Sequence, residues 1–161
     1  MISAKLIELI QTHATPIATD VASDLVANER TRGFRAVKRE QLEGRVYTIV
    51  HSLGTWIAAP HSQAVRDEFG EWGAKRFGEG IPLNEVVYAV IVLKSHLRRY
   101  IREHGLLDAA FPRAEADYIL PMHLHSLQEL TAQVTDFFDE ALYSLALGYE
   151  QRSAGIVAAP R

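Results

Sequence analysis

Apolar residues recur every three to four positions along most of the chain, which is the spacing of a helix with one buried face. This period predicts five helices, over about residues 4–13, 16–29, 40–58, 63–77 and 82–104, and a sixth helical element after them. We find no internal repeat and no segment with the strict alternation of a half-buried strand. The pattern therefore predicts an all-α fold.

Capping residues, glycine and proline mark the predicted helix ends. Thr15 suits the N-cap of the second helix, with Pro16 at the first helical position, where its missing N–H costs nothing. Pro60 is expected to stop the third helix, and Ser62 to cap the fourth. The clearest break is Gly78–Pro82, where two glycines end one helix and a proline suits the start of the next.

The helical period fails between Arg30 and Lys38, where Gly33 stands among basic residues. The ten residues from Arg30 to Arg39 contain five Lys or Arg side chains. We interpret this segment as a solvated basic loop, with the alternative that it holds an anionic partner. Residues 115–150 contain seven acidic residues and no Lys or Arg, so this acidic last element could pack beside the basic loop of its own chain or of a partner chain.

The last helical element is the longest. Beyond Gly105, the expected end of the fifth helix, and a loop with Phe111–Pro112, the proline at Pro121 predicts a short helix to Leu120 and a long one to about Tyr149. The long helix measures about 43 Å, so it spans or projects beyond a domain of about 40 Å diameter. Its apolar positions form a band about 120° wide, as expected for a helix on a core: Leu124, Leu127, Leu130, Val134, Phe138, Leu142, Leu145 and Tyr149.

Two large apolar residues of this helix, Tyr143 and Leu147, lie about 100° or more from the centre of that band. They are our candidates for a dimer contact, and the alternative is that they are isolated apolar residues on the surface. Residues 1–152 are predicted to form one helical domain, and residues 153–161 a flexible tail or linker remnant.

Composition narrows the class of protein. With 161 residues, 48% of them hydrophobic and 23% charged, the chain is expected to be one globular domain. The absence of cysteine excludes disulfides, Cys-ligated metals and Cys nucleophiles, and it favours a cytoplasmic protein. The formal net charge of −3 argues against a nucleic-acid binder held by bulk charge. We find no apolar run long enough to span a membrane and no signal peptide.

Residues that could carry chemistry are scarce. The sequence contains no Gly-x-Ser-x-Gly, no phosphate loop and no His-Glu-x-x-His, so we predict no catalytic site and no metal site. His51, His61 and His96 are the candidates for binding haem or another cofactor, and the alternative for His96 is a buried, hydrogen-bonded histidine or a subunit contact. His123 is expected to face the apolar band and His125 to point away from it. Helix termination and close helix packing account best for Gly70, Gly73, Gly78 and Gly80.

Three blocks of the sequence carry a family resemblance. They are Phe69-x-x-Trp72-Gly73-x-x-Arg76-Phe77-x-Glu79-Gly80-Ile81-Pro82-Leu83-x-Glu85-Val86-Val87, Leu93-Lys94-x-x-Leu97-x-x-Tyr100-Ile101, and Phe137-Phe138-Asp139-x-Ala141-Leu142-Tyr143 with Gly148-Tyr149-Glu150. Together they resemble the N-terminal domains of RsbR/RsbRD-type regulators of bacterial stress signalling, the RsbT co-antagonists of the stressosome. Related input domains precede histidine kinases. The resemblance extends from about Leu42 to Glu150.

The resemblance implies a globin-like bundle of about six helices with a long C-terminal helix, without haem and usually dimeric. It also implies a cytoplasmic, non-enzymatic sensor domain that passes a signal through its last helix to a signalling partner or output domain. RsbR-type proteins normally continue into a STAS domain, whereas this chain stops at Arg161, so we expect a stand-alone sensor or a piece of a longer regulator. The alternative function is a globin relative that binds haem or a small ligand, and an enzyme comes third.

Overall fold

The computed structural model describes the backbone of residues 2–104 and 116–158, and the side chains of residues 4–104 and 121–155. These ranges form seven α-helices and one 3₁₀ helix and contain no strand, so the all-α prediction is confirmed. The helices are α1 (Ile2–Thr12), α2 (Ala14–Ala27), the 3₁₀ helix (Glu29–Ala36), α3 (Arg39–His51), α4 (Leu53–Ala58), α5 (Gln63–Gly78), α6 (Leu83–His104) and α7 (Ala116–Ala158).

Helix α7 is the centre of the packing. In the described part of the chain, α5 and α7 form the most extensive helix pair, and α6, α1 and α4 also pack on α7. Helix α2 packs on α3 and α6 to complete the bundle. The face of α7 turned to the core consists of fully buried residues: Leu130, Val134, Phe137, Phe138, Ala141 and Leu145.

This buried face is rotated from the predicted apolar band. Phe137, Ala141 and Ser144 are buried although the band omits them, whereas Leu124, which belongs to the band, is 44% exposed. The reason is that α7 packs on α5 and α6 at once, so its buried surface is wider than a single stripe. The orientations of the two neighbouring histidines agree with the prediction, since His123 is buried and His125 is exposed.

Two glycines bring the backbones of α5 and α7 into direct contact. A Cβ atom added at Gly148 would lie 2.0 Å from the carbonyl oxygen of Gly70, and one added at Gly73 would lie 1.9 Å from the carbonyl oxygen of Leu145. No side chain can occupy either space without moving a helix. The prediction that close helix packing explains the glycines of α5 is confirmed at Gly73.

The α5–α6 connection is a Schellman motif centred on Gly80. The Ile81 N–H donates to the Arg76 carbonyl at 3.2 Å, and the Gly80 N–H donates to the Phe77 carbonyl at 3.0 Å. Gly80 has a φ of +71°, the left-handed conformation that glycine adopts without strain. The Tyr149 hydroxyl donates to the Ile81 carbonyl at 2.8 Å, which fastens this turn to α7. The predicted break is confirmed, with α6 beginning one residue after Pro82.

We expect Gly80→Val to destabilise the domain by about 1–2 kcal/mol, since a residue with a Cβ atom is strained in the left-handed region. Pro82→Ala is expected to cost less, roughly 0.4–1 kcal/mol, because proline here mainly restricts the unfolded chain. Urea unfolding of the two variants beside wild type measures both values. Equal losses would contradict the different roles assigned to the two residues.

Two predicted helix boundaries are wrong. Helix α2 begins at Ala14, so Thr15 and Pro16 lie in its first turn and Thr15 is not the N-cap. The predicted third helix is two helices, α3 and α4, separated at Ser52. At this break the Gln11 side-chain amide on α1 donates to the His51 carbonyl at 2.6 Å. The Ser62 cap is confirmed, since its hydroxyl accepts a hydrogen bond from the Val65 N–H at 3.3 Å.

The predicted basic loop is an ordered 3₁₀ helix. The Thr31 hydroxyl is buried and donates to the Leu25 carbonyl at 2.6 Å, and the Gly33 N–H donates to Glu85 Oε2 on α6 at 2.6 Å. Its arginines remain exposed, and Arg32 and Arg35 both bind Glu29, which holds the pKa of that carboxyl below its usual value. The predicted pairing with the acidic last helix is not what the described residues show: acidic side chains of α7 pair with α5 and α6 instead.

Helix α7 is longer than the sequence indicates. It runs unbroken through Pro121, so the predicted break there is wrong. Pro121 lies in the second turn, where its ring removes the hydrogen bond to the carbonyl of residue 117 and crowds that carbonyl. The helix also continues to Ala158, so the prediction of an unstructured segment from Ser153 is wrong up to that residue. Gly105 and the Phe111–Pro112 loop lie outside the described residues.

The length of α7 means that it extends past the bundle. Its 43 residues correspond to roughly 65 Å, compared with about 40 Å for the diameter of a compact domain of this size. Residues 150, 151, 152, 154 and 155 are all exposed, so no other helix covers these last described turns.

Candidate functional site

A cleft of about 520 Å³ opens between α3 on one side and α5 and α6 on the other. Its volume is within the range of small-molecule sites, roughly 300–1,000 Å³. The cleft exists because α3 packs mainly on α2, which leaves a gap towards α5 and α6. Its walls are mostly apolar and come from six of the helices: Val21, Leu25, Phe34, Leu42, Val46, Ile49, Trp72, Val86, Ala89, Val90, Leu93 and Leu145.

The cleft contains a buried guanidinium group. Arg76 lies on the same face of α5 as Val65, Phe69 and Gly73, and it is only 8% exposed. Burial lowers the pKa of Arg76 to about 10, the positive charge of Arg45 adds to this effect, and Glu79 opposes it. Since that pKa is still well above neutrality, Arg76 carries its charge at pH 7.

One carboxylate is shared between two arginines at this site. Glu79 Oε2 lies 3.2 Å from Arg76 Nε, and Glu79 Oε1 accepts a hydrogen bond from Arg45 Nη2 at 2.5 Å. The Schellman motif fixes this arrangement, because Glu79 is the residue that caps α5. The three side chains together have one positive charge in excess. Arg76 is the buried member of this cluster and already pairs with Glu79, whereas Arg45 is partly exposed, so the cluster can accommodate a negatively charged ligand.

The other polar residues of the lining are Gln41, Thr48, Glu68 and Lys75. Lys75 pairs with Glu71 at 3.1 Å, and Glu68 is the acidic residue of the lining. Gln41 and Thr48 are exposed, as is Gly44, so α3 forms the solvent side of the cleft. The charged groups therefore lie along α5 and at Arg45, and the opposite wall is apolar.

The three candidate histidines lie in separate places, and none belongs to the lining of this cleft in the described structure. His51 is exposed and stacks on Tyr47 with a centroid distance of 5.3 Å. His61 is exposed, with its Nδ1 atom 2.9 Å from Glu140 Oε2. The structure does not bring them together as ligands of one cofactor.

His96 is the half-buried member of the three. Its Nδ1 atom accepts a hydrogen bond from Arg99 Nη2 at 3.0 Å, so Nε2 carries the proton and donates to Asp24 Oδ2 at 2.9 Å. This geometry fits the alternative of a hydrogen-bonded histidine that links α6 to α2. No group of three or more His, Asp or Glu side chains that could hold a metal ion is found among the described residues.

The family model of the RsbT co-antagonist protein rsbRD N-terminal domain matches residues 15–153. The chain belongs to this family. The predicted resemblance is thereby confirmed, and the match covers the cleft, the Schellman motif and most of α7. No curated protein and no solved structure matches the chain significantly. The RsbRD N-terminal domain is a domain of stress-signalling regulators.

The sequence of this RsbRD N-terminal domain did not predict the cleft or the burial of Arg76. One signal was available, because Val65, Phe69, Gly73 and Arg76 follow the spacing of a single helix face, and Arg76 is the charged residue in an otherwise buried stripe. No pattern in the sequence predicts the cleft itself, since the cleft depends on the distance of α3 from α5 and α6.

Tyr143 and Leu147 of the RsbRD N-terminal domain are exposed, as expected for a contact surface. Tyr143 is 67% exposed and Leu147 is 40% exposed. Both line a second depression, of about 600 Å³, between α5 and α7, together with charged residues that include Arg66 and Glu140. Their role in a dimer stays a prediction. In the part of the domain that is described, no helix is long and apolar enough to cross a membrane.

The ion pairs beside this depression give a pH-dependent prediction. Hydrogen bonds from Arg66 and then His61 hold the pKa of Glu140 below its usual value of 4.5. The folded carboxyl binds its proton less readily than the unfolded one, so the interaction stabilises the fold above about pH 4.5 and is lost as the pH falls through the lowered pKa.

We therefore expect Glu140→Gln to lower the free energy of unfolding by about 1 kcal/mol or less at pH 7, as is usual for exposed pairs, and by progressively less as the pH falls through the lowered pKa. Urea unfolding at pH 7, 5 and 3 measures this difference. Glu129→Gln, an exposed carboxylate on the same helix, is the matched control. A difference for Glu140→Gln that stays constant with pH would contradict the assignment.

Proposed function

We propose that this domain is the sensory input module of a cytoplasmic stress-signalling regulator and that it acts without enzymatic activity. In this role it receives a signal in the cleft and passes it through α7 to a signalling partner or an output domain. The observation that carries the proposal is the position of α7. Leu145 lines the cleft, and the same helix continues 13 residues further, to Ala158.

The contacts between the cleft and α7 support a mechanical connection. Arg76 faces the cleft with its side chain, while its carbonyl accepts the Schellman hydrogen bond from Ile81. The Ile81 carbonyl in turn accepts the hydrogen bond from Tyr149 on α7. A shift of Arg76 on ligand binding would therefore reach α7 through two consecutive hydrogen bonds, the first between backbone groups and the second from the Tyr149 hydroxyl. Gly73, three residues before Arg76, adds a direct backbone contact with α7.

The signalling role is tested in cells that carry the intact gene. Inserting two alanines after Ala154 rotates everything downstream by about 200°, whereas inserting seven residues changes the rotation by only about 20°. We expect the two-residue insertion to alter a stress-response reporter as gene deletion does, and the seven-residue insertion to preserve the wild-type response. A reporter that does not respond to gene deletion would overturn the proposal.

We also propose that the domain forms a homodimer through surfaces that include Tyr143 and Leu147. Their exposure and their position on the segment of α7 that leads out of the bundle support a parallel contact between two copies of the helix. Such a contact would let a shift in one subunit change the packing of both helices.

The double variant Tyr143→Glu/Leu147→Glu is expected to be monomeric at micromolar concentration, where wild type is dimeric, because two buried carboxylates would be unpaired. Analytical ultracentrifugation measures the two states. Glu substitution at exposed Tyr47 and Ile91, on α3 and α6, gives the matched control. A monomeric wild type, or a double variant that remains fully dimeric, would argue against this surface.

A further inference from the structure

We infer that the cleft binds a small amphipathic anion, an aliphatic monocarboxylate, with its carboxylate at Arg76 and its chain against the apolar walls. This inference names the ligand of the proposed sensory role. It rests on that proposed function only where it assigns a signalling effect to ligand binding. The binding itself is a property of the cleft.

The argument for an anion begins with charge. Arg76 is more than nine-tenths buried, and it shares Glu79 with Arg45. The buried Nε atom of Arg76 has no partner with hydrogen-bond geometry, although Glu79 Oε2 lies 3.2 Å away. A guanidinium group binds a carboxylate with two parallel hydrogen bonds. A ligand carboxylate at the part of the guanidinium group that lines the cleft would add hydrogen bonds to Arg76 and offset the excess positive charge of Arg45, Arg76 and Glu79.

The argument for an aliphatic chain comes from the opposite wall. Beyond Arg76 the cleft is lined by apolar residues of two helices. They are Val86, Ala89, Val90 and Leu93 on α6, and Val46 and Ile49 on α3. Water in such a space gains few hydrogen bonds, whereas an alkyl chain gains about 0.8 kcal/mol for each buried CH₂ group. These walls favour a ligand with a hydrocarbon part over a bare inorganic anion.

The remaining charged residues of the lining favour a ligand that carries a single carboxylate. Lys75 is paired with Glu71 and lies at the exposed side, and Glu68 is the acidic group of the lining. Glu68 disfavours a second negative charge on the ligand. A monocarboxylate satisfies Arg76 without placing another anion near Glu68.

Isothermal titration calorimetry tests the inference with three probes: octanoate, 1-octanol and acetate. Octanoate is expected to bind at a ratio of one to one, at least tenfold more tightly than octanol and on the order of 100-fold more tightly than acetate. Octanol binding as tightly as octanoate would overturn the role of Arg76. Acetate binding as tightly as octanoate would overturn the role of the apolar walls.

Variants of the cleft test where the carboxylate and the alkyl chain of the ligand bind. Arg76→Met is expected to weaken octanoate binding at least tenfold and to leave octanol binding unchanged, and Arg76→Lys is expected to retain part of the octanoate affinity. Ala89→Phe, which fills the cleft, should weaken both probes. Arg66→Met is the control, since Arg66 is on α5 but pairs with Glu140 outside the cleft. Circular dichroism confirms that each variant is folded.

The outcomes separate this inference from the proposed function. Octanoate binding that is unchanged in both Arg76→Met and Ala89→Phe would place the ligand elsewhere and overturn the inference. If Arg76→Met fails to fold, the octanoate-to-octanol ratio in wild type and the loss in Ala89→Phe still decide it. An absence of octanoate binding, together with the expected response to the α7 insertions, would overturn the ligand class alone. If the purified domain binds octanoate as expected but the reporter in cells does not respond to gene deletion, the signalling role alone is overturned.

Discussion

Gly148→Ala is expected to destabilise the domain by about 3 kcal/mol or more, which is the largest effect we anticipate for the loss or gain of one methyl group. A Cβ atom at this position would lie 2.0 Å from the Gly70 carbonyl oxygen, which is a backbone atom and cannot rotate away. Helix α7 would have to move off α5 along the most extensive helix contact of the described structure. Overpacking of a well-packed core costs roughly 1–3 kcal/mol and more where the backbone must shift.

The measurement is the free energy of unfolding in urea, with Gly73→Ala as a second variant at the same contact. Gly44→Ala is the matched control, because Gly44 is exposed on α3 and a Cβ atom there would contact nothing within 4 Å. The control is expected to stabilise the domain by up to about 1 kcal/mol, since alanine is the better helix former. If Gly148→Ala and Gly44→Ala have the same sign, the backbone contact between α5 and α7 is wrong.

Phe137→Ala is expected to cost about 3–5 kcal/mol, the range for truncating a fully buried aromatic residue. The Phe137 ring is fully buried and contacts Trp56, Phe69 and Phe138, with centroid distances of 5.7, 5.6 and 5.0 Å. This aromatic cluster connects α4, α5 and α7, so its loss leaves a cavity between three helices. Such rings also attract each other by edge-to-face contacts that alanine cannot replace.

Urea unfolding again provides the value, and Leu97→Ala is expected to cost about 2–5 kcal/mol because Leu97 is fully buried on α6. Leu124→Ala is the control on α7, since Leu124 is largely exposed, and it should change the free energy by less than about 1 kcal/mol. A loss below about 1 kcal/mol for Phe137→Ala would mean that the aromatic cluster is not part of the core.

The elements of the fold that depend on local chemistry could be predicted from the sequence. Glycine followed two residues later by proline favours a turn, and serine is a preferred N-cap residue directly before a helix. The structure confirms both signals, at Gly80 and at Ser62. The break at Ser52 was not predicted from the apolar spacing, and the hydrogen bond found there joins His51 to Gln11, which is 40 residues away in the sequence.

The buried face of α7 shows why a hydrophobic pattern is an incomplete guide. Ala141 and Ser144 are buried although they are small or polar, because Gly70 and Gly73 allow α5 to approach α7 closely. A pattern read along one helix contains no information on the size of the residues that face it. The exposure of Leu124 has the same origin, since the packing partners of α7 determine which of its residues are covered.

The candidate site could be predicted from the sequence even less well than the fold. Arg76 belongs to a motif that identified the family, yet a charged residue in such a motif is equally compatible with a surface ion pair. Its importance follows from its burial and from the gap beside α3, and both are properties of the assembled bundle. The histidines, which stood out in the sequence by residue type, are distributed over three separate contacts.

The contact of Gly148 with the Gly70 backbone also restricts how α7 can move. Sliding the helix by one turn in either direction would place Ser144 or Arg152 against the Gly70 backbone, where no side chain fits. Rocking about Gly148 would move no new side chain into that space, so this glycine would be the pivot of any tilt of α7. The arm from Gly148 to Ala158 is ten residues, or about 15 Å. A tilt of about 10° at the pivot displaces the end of the arm by about 2.6 Å, enough to change which residues of α7 meet a neighbouring helix.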